Sequence, residues 1–506
     1  MLAKVKSFAL IGLNGVPVEV EADINRGMTS YELVGLPDAA VKESRERVNS
    51  AILNSRMHFP VNRLTVNLAP ADIKKEGSHY DLPIALAILK ASEQLLGCNT
   101  DDIVMLGELA LDGSIRPVSG VLPVLISAKK QGYTRFIIPF ANANEAAYIE
   151  GIQAYALKSL SEAVDFVTGR AAFEPVAVKS FSSALKNSRY GTDMSLVKGQ
   201  VVAKRALEIA VAGGHNILLS GPPGAGKTML ARCIPTIMPD LTFEEALEVT
   251  QIHSVAGDLG GEGIISLRPF RTPHHTATTA SLCGGGNVKI RPGEISKAHK
   301  GVLFLDELPE YSRSALESLR QPLEDKVITV TRAGGAVTFP ADFMLCASMN
   351  PCPCGNYGSS YKQCTCTPAQ IRRYRAKISG PLLDRIDLQV EVDSVKYEEL
   401  AAEEGGESSA EVKKRVERAR AIQRERFGGP YTNANMGEGQ IKKFCRLSPE
   451  CEGILRGAFE RLALSARARS RIIKVARTIA DLDFSAEIKP EHILEATSYR
   501  NFDVKE

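Results

Sequence analysis

Along the first part of the chain apolar and polar positions alternate. Val18, Val20, Ala22 and Ile24 interleave with Glu19, Glu21 and Asp23, and RLTVNLA at residues 63–69 repeats the period of two, so both stretches predict strands with one buried face. FALIG at residues 8–12 predicts a further strand, and the pair Asn14-Gly15 predicts the turn into VPVEVEADI. DLPIALAILKASEQ at residues 81–94 switches to helical spacing. Strands interleaved with helices run to about Gly169, which predicts an α+β domain over residues 1–169. Residues 170–192 have weak periodicity and many small or polar side chains, and are expected to be a linker. Short apolar runs then recur as ILLS, VLFLDE and FMLCASMN between helices and long loops, an α/β core over residues 193–392. EVKKRVERARAIQRERF and the segments from Ser448 onward space their apolar residues as helices, so residues 393–506 are expected to be all-α.

Composition bounds this picture. The chain has 506 residues, enough for about three domains, with 44% hydrophobic and 24% charged positions, which excludes disorder as the main theme. Lysine plus arginine number 62 against 59 acidic residues, a net +3, so any nucleic-acid surface has to be a local patch. The longest apolar run, LPIALAIL, falls far short of the roughly 18 residues of a membrane span. Lys4 and Lys6 before an apolar stretch imitate a signal peptide, but Asn14, Gly15 and Pro17 break it, and the expected location is the cytoplasm. Ten cysteines are too sparse for a secreted disulfide framework.

The chemistry concentrates in the α/β core. GPPGAGKT comprises Gly221, Pro222, Pro223, Gly224, Ala225, Gly226, Lys227 and Thr228, and it follows a strand and opens a helix. In that context glycine N–H groups cradle phosphates, Lys227 brings a point charge to them and Thr228 ligates Mg²⁺. VLFLDE ends in Asp306, expected to hold the metal, and Glu307, expected to polarise the attacking water; Asn350, at the end of FMLCASMN, is placed to orient that water. ATP hydrolysis with Mg²⁺ is the expected reaction.

These motifs resemble the AAA+ ATPases. The resemblance implies Asn350 in the sensor-one place, Arg385 of GPLLDRID as an arginine finger reaching a neighbour's nucleotide, and a homo-hexameric ring. An ion pair with Asp384 or Asp387 is the structural alternative for Arg385. It also implies Arg467 of LSARARSR as the sensor-two arginine, with Arg469 and Arg471 as rivals. GDLGGEGIISLRPFRTPHHTAT, RPGEISKAHKGVLFLDELPE and ALESLRQPLED narrow the likeness, and VNLAPADIKKEGSHYDLPIAL and GELALDGSIRPVSGVLPVL extend it to the first domain. The whole chain is similar to the YifB/ComM family of magnesium-chelatase-like ATPases. That family implies a P-loop AAA+ core preceded by a Lon-protease-like domain and followed by an all-α lid. It further implies a DNA motor of the branch-migration helicase type, acting in recombination and natural transformation. The alternative is a chelatase-like or protein-remodelling chaperone. In the Lon-like stretches His79 and Leu122 stand where the catalytic serine and lysine belong, so no peptidase is expected, and Ser78, His79 and Asp81 are read as turn and cap residues.

Three further features carry expectations. Cys352, Cys354, Cys364 and Cys366 crowd into the loop at residues 350–367 and suit a structural Zn²⁺, the alternative being free or redox thiols. KVITVTRAGGAVTF predicts a hairpin around Gly334-Gly335 with Arg332 at its tip, a contact for single-stranded or branched DNA or else a solvated turn. His274 and His275 read as loop packing, the basic residues of IRRYRAK as a solvated helix face or a subunit contact, and those of residues 411–427 as an ordinary charged face.

Overall fold

Two β-sheets organise the chain, each built by its own hydrophobic period. The computed structural model describes residues 1–95, 97–187, 189–286, 290–332, 335–358, 362–394, 406–461 and 465–500. The first sheet contains β1 (Leu2–Ile11), β2 (Asn14–Asn25), β3 (Ser30–Val34), β4 (Arg63–Ala69), β5 (Ile103–Met105), β6 (Arg135–Pro139) and β7 (Gln153–Leu157), in the order β3-β4-β2-β1-β5-β6-β7. β1, β2 and β4 pair antiparallel, and β5, β6 and β7 add in parallel. The run LPIALAIL lies in α1 (Asp81–Ala91) and is buried along its whole length, which is why it lacks a polar face. α2 (Val121–Lys130) packs against β2.

The turn between β1 and β2 is not at Asn14-Gly15. Ile11 pairs with Asn14, leaving Gly12 and Leu13 as a two-residue loop with Gly12 at a left-handed φ of 63°. Gly15 serves another purpose: its N–H donates to Ser127 Oγ at 2.8 Å, and a Cβ there would lie 2.8 Å from Ser127 Cβ. The glycine admits α2, and Gly12 makes the turn.

The second sheet and its neighbours comprise α3 (Val201–Gly213), β8 (Ile217–Ser220), α4 (Lys227–Ile237), α5 (Phe243–Ala256), β9 (Phe270–Arg271), β10 (Val302–Leu305), β11 (Val327–Arg332), β12 (Gly335–Pro340), β13 (Met344–Met349), α6 (Pro368–Arg375) and β14 (Leu388–Glu391). β9-β10-β13-β8-β14 form a wholly parallel sheet, while β11 and β12 make a separate antiparallel hairpin. β8, β10 and β13 are buried at every position, as a parallel sheet covered on both faces requires. Ile217 and Leu219 pack into one core and Leu218 into the other, the period of two dividing one strand between two faces. The tip of the β1–β2 hairpin meets the β11–β12 hairpin, where a Cβ at Gly12 would stand 2.6 Å from Val337 Cγ1.

The C-terminal segment is helical where described, with α7 (Ser409–Phe427), α8 (Pro449–Arg461), α9 (Ala466–Leu482) and α10 (Pro490–Ser498). Leu455, Ile472, Ile479 and Ile493 share a core with Ile217 and Val390 of the sheet. The basic residues of α7 do not form a plain solvated face. Arg415 pairs with Glu208 and Glu407, Lys413 with Asp240 at 2.6 Å, and Arg426 with buried Asp481, which also takes Arg477 Nε at 3.0 Å. Residues 170–192 also depart from a loose linker. They include a short helix, Phe181–Asn187, and backbone bonds from Val176 to Ala154 and from Lys179 to Ala147 tie them down. Glu145 joins the first sheet's surroundings to α5: buried, it accepts from Ser254 Oγ at 2.6 Å, Asn142 Nδ2 at 2.6 Å and the Leu122 N–H at 3.1 Å. Among the described residues no helix is long and apolar enough to cross a membrane.

Asp387 anchors the C-terminal helices to the start of β14, taking Arg471 Nη1 at 2.8 Å, the Asn216 N–H at 3.2 Å and His215 Nδ1 at 3.4 Å. Burial alone raises its pKa, but the His215 bond and the Arg471 charge outweigh that and hold the carboxyl well below the usual carboxylate range. Its stabilising effect is therefore full above about pH 4, the unfolded value, and is lost as pH falls below it. Asp387→Asn is expected to cost about 3 kcal/mol at neutral pH by stranding the Arg471 guanidinium, and to flatten the acid limb of a melting-temperature profile. Unchanged melts across the acid range would show that the pair contributes nothing.

Candidate nucleotide site

The parallel register sets the site at one edge of the second sheet. Ser220 ends β8 opposite Met349 of β13, so the glycine loop at residues 221–228 and Asn350 leave the sheet side by side. Leu305 of β10 pairs with Ala347, which brings Asp306 next to Ser348. The loop's glycines have distinct tasks. Gly224 and Gly226 hold left-handed φ values of 79° and 86°, whereas at Gly221 a Cβ would lie 2.1 Å from the Val392 carbonyl oxygen.

Lys227 opens α4 with its ammonium folded over the loop, donating to the carbonyls of Gly221 at 2.6 Å and Pro222 at 2.9 Å and to Asn350 Oδ1 at 3.2 Å. Burial pushes its pKa down, and the charges of Asp306 and Glu307 oppose that. Thr228 Oγ1 donates to Asp306 Oδ2 at 3.1 Å, a hydroxyl and a carboxylate set together as hard oxygen donors suited to Mg²⁺. The other Asp306 oxygen accepts from Ser348 Oγ and from the Glu307 N–H at 3.1 Å. Glu307 stands half-exposed at a left-handed φ of 54°, where the strand breaks outward. Its carboxylate lies 3.4 Å from His275 Nδ1. The loop bearing His275 follows β9 and is pinned by Tyr311, whose hydroxyl donates to the Pro273 carbonyl at 2.6 Å.

Lys227, Thr228, Asp306, Glu307 and Asn350 are thus brought together as the motifs predict. Two participants were not assigned to this site from sequence. Ser348 was signalled only by being the one hydroxyl inside a buried apolar strand, and His275, expected to be loop packing, in fact faces the Glu307 carboxylate.

The arginines occupy the opposite edge. β14 runs parallel to β8 with Leu388 beside Ile217, so Arg385 precedes the sheet where the glycine loop follows it. Arg385 is buried and pairs with Glu324, not with Asp384 or Asp387, and donates to the Pro381 carbonyl at 2.6 Å. Arg467, expected to touch bound nucleotide, is 69% exposed and 3.9 Å from Asp384. Arg385, Arg467 and Arg471 line one cleft of about 470 Å³ with Glu324 and Lys474, and none of residues 221–228 borders it. Arg467 is therefore not assembled with its own chain's phosphate loop, because α9 packs over the strand starts and not the strand ends. Arg469 turns to Glu452 at 2.9 Å.

Elsewhere, the sulfurs of Cys352, Cys354, Cys364 and Cys366 lie within 4.8 Å of one another. β11 and β12 form the expected hairpin, with Arg332 paired to Gly335; residues 333–334 and the Arg332 side chain lie outside what the structure describes. Ser78 donates to Glu108, His79 Nε2 is 3.0 Å from the Phe8 carbonyl oxygen, and Asp81 takes Arg47 Nε at 2.7 Å, so these three face separate partners.

Comparison with known proteins gives a consistent family. Residues 193–400 match the profile described as magnesium chelatase, subunit ChlI; residues 20–142 match subunit ChlI of Mg-chelatase; residues 406–500 match the ChlI C-terminal profile. The chain is 44% identical over 504 residues to the uncharacterized protein YifB of Escherichia coli strain K12, covering 99% of this chain and 97% of that one. It is 42% identical over 502 residues to the competence protein ComM of Haemophilus influenzae, at 99% and 97% coverage. The magnesium-chelatase 67 kDa subunit of Chlorobaculum parvum is 30% identical over 159 residues, 31% of this chain and 23% of that one.

Ser348→Ala leaves one Asp306 oxygen without its hydroxyl donor. The Mg²⁺ midpoint for nucleotide binding is expected to rise about tenfold, as for other groups that orient a metal ligand. A midpoint equal to wild type in a metal titration would mean that Thr228 and the backbone suffice to hold the carboxylate.

Proposed function

Because the chain belongs to the magnesium chelatase subunit ChlI family and is similar along its whole length to YifB and ComM, we propose that it is an ATP-hydrolysing ring motor acting on DNA. The observation that carries this reading is the Thr228–Asp306–Ser348 chain of hydrogen bonds beside Lys227, with Glu307 projecting next to it. Thr228 and Asp306 would hold Mg²⁺, which would neutralise charge on the phosphates. The loop N–H groups and Lys227 hold the terminal phosphates in line. Glu307, steadied by His275, takes the proton of the attacking water, and Asn350 fixes that water's lone pairs. The hydrolysis needs one more positive group at the leaving side. Arg385, at the far edge of the sheet, is out of reach of its own glycine loop and suits the loop of a neighbouring copy, which favours a head-to-tail ring, expected to be a hexamer. Arg467 and Arg471, in the same cleft, would face the same boundary.

DNA as the track rests on the β11–β12 hairpin, which follows the carboxylate strand and carries Arg332, and on the likeness to a competence protein. In this reading the first sheet's domain, Lon-protease-like in pattern, is a scaffold without peptidase activity, the C-terminal helices are the lid, and the motor drives branch migration.

Lys227→Ala is expected to abolish nucleotide binding, and Glu307→Gln to bind ATP yet cut turnover by about a thousandfold; a wild-type rate in either disproves the site. Turnover should rise with single-stranded or branched DNA, fall with salt, and lose the DNA response in Arg332→Ala while keeping its basal rate. Turnover indifferent to every DNA would move the assignment to a protein-remodelling motor.

A further inference from the structure

We propose that Cys352, Cys354, Cys364 and Cys366 bind one zinc ion, and that the loop this ion closes is a brace for the phosphate loop. The sulfur geometry comes first. Cys352 and Cys354 stand 3.3 Å apart, Cys354 and Cys364 3.6 Å, Cys352 and Cys364 3.7 Å, and all four sulfurs fall within 4.8 Å of one another. Four thiolates at about 2.3 Å from one zinc have edges of about 3.8 Å, close to the separations among Cys352, Cys354 and Cys364, and Cys366 lies near enough to share the same ion. Edges this short leave no room for a bridged iron–sulfur core.

The surrounding backbone is arranged as a sulfur cradle. The Tyr357 N–H points at Cys352 Sγ at 3.3 Å and the Cys366 N–H at Cys364 Sγ at 3.4 Å, donors that favour thiolate over thiol. The Gly355 N–H closes the first turn onto the Cys352 carbonyl at 3.0 Å, and Cys352 itself is fully buried. Among the described residues, 350–358 and 362–367 form neither helix nor strand, so little backbone hydrogen bonding holds this stretch. Zinc supplies a cross-link, in exchange for the thiol protons.

The second half concerns what the closed loop touches. Gly355 has a φ of 79°, and a Cβ built there would lie 2.6 Å from Pro223 Cδ and 2.9 Å from its Cγ. The knuckle turn therefore rests directly on the second proline of the glycine loop. At its other end the segment leads from Asn350, which holds Lys227. Zinc thus fixes both a support of the phosphate loop and the strand end beside it. This half rests on the nucleotide-site reading above; the metal half does not.

The test uses full-length protein purified without a metal-affinity column, with zinc measured by plasma mass spectrometry and ATP affinity by a fluorescent analogue. About one zinc per chain is expected in wild type, below about 0.1 in Cys364→Ser/Cys366→Ser, and a roughly tenfold weaker ATP affinity in that variant. Gly355→Ala is expected to keep its zinc and its circular dichroism spectrum yet bind ATP about tenfold more weakly, which separates bracing from folding. Wild-type protein without zinc, its four thiols titrating freely or forming a redox pair, overturns the metal site. Loss of zinc with unchanged ATP affinity overturns the brace. A stoichiometric zinc in a wild-type chain that binds no ATP supports the metal half and sinks only the nucleotide reading.

Discussion

Everything at the candidate site follows from the backbone register of β8 with β13 and β14. Ser220 lies opposite both Met349 and Glu391, and Ile217 opposite both Cys346 and Leu388, so two segments more than a hundred residues downstream are fixed to within one residue of the glycine loop. A slip by one position would turn Ser348 and Asn350 to the wrong face and break the Asp306 contacts. The strands hold because both faces are buried, and the two cores, one shared with the C-terminal helices, weld the site to the rest of the chain. Polarity then does the sorting: groups that follow strands gather at the phosphate loop, and groups that precede them, Arg385 among them, gather at the other edge.

This explains what could be read from sequence. The strand–glycine loop–helix succession and the carboxylates at the end of VLFLDE are local grammar, legible because burial and backbone geometry restrict a few adjacent residues. So too was the cysteine loop, whose crowding in sequence became crowding in space. The place of Arg467 in the cleft with Arg385 was not legible, because motif order says nothing about which side of the sheet α9 crosses. His275 was read as loop packing because its partner, Glu307, lies far along the chain, just past the end of β10. The β1–β2 turn moved to Gly12 since an asparagine–glycine pair and a helix-admitting glycine look the same in one dimension.

Charge tells a similar story. A near-neutral chain distributes many of its arginines into internal pairs, Arg426 and Arg477 on Asp481, Arg415 on Glu208, Arg47 on Asp81. Arg477–Asp481 lies within α9, whereas the Arg426, Arg415 and Arg47 pairs each tie one helix to another, so several basic residues that look like nucleic-acid surface in the sequence hold helices together. Asp81 shows the cost: burial pushes its carboxyl up to about 6 despite the Arg47 guanidinium, which opposes the rise.

Glu307 sits at a left-handed backbone position that glycine or asparagine occupies more readily, a conformation costing of the order of 1 kcal/mol for a residue with its side chain. The fold as such has no use for glutamate there. Glycine at this position would relieve that backbone cost and lose the carboxylate. At residue 307 backbone stability and the carboxylate therefore pull in opposite directions.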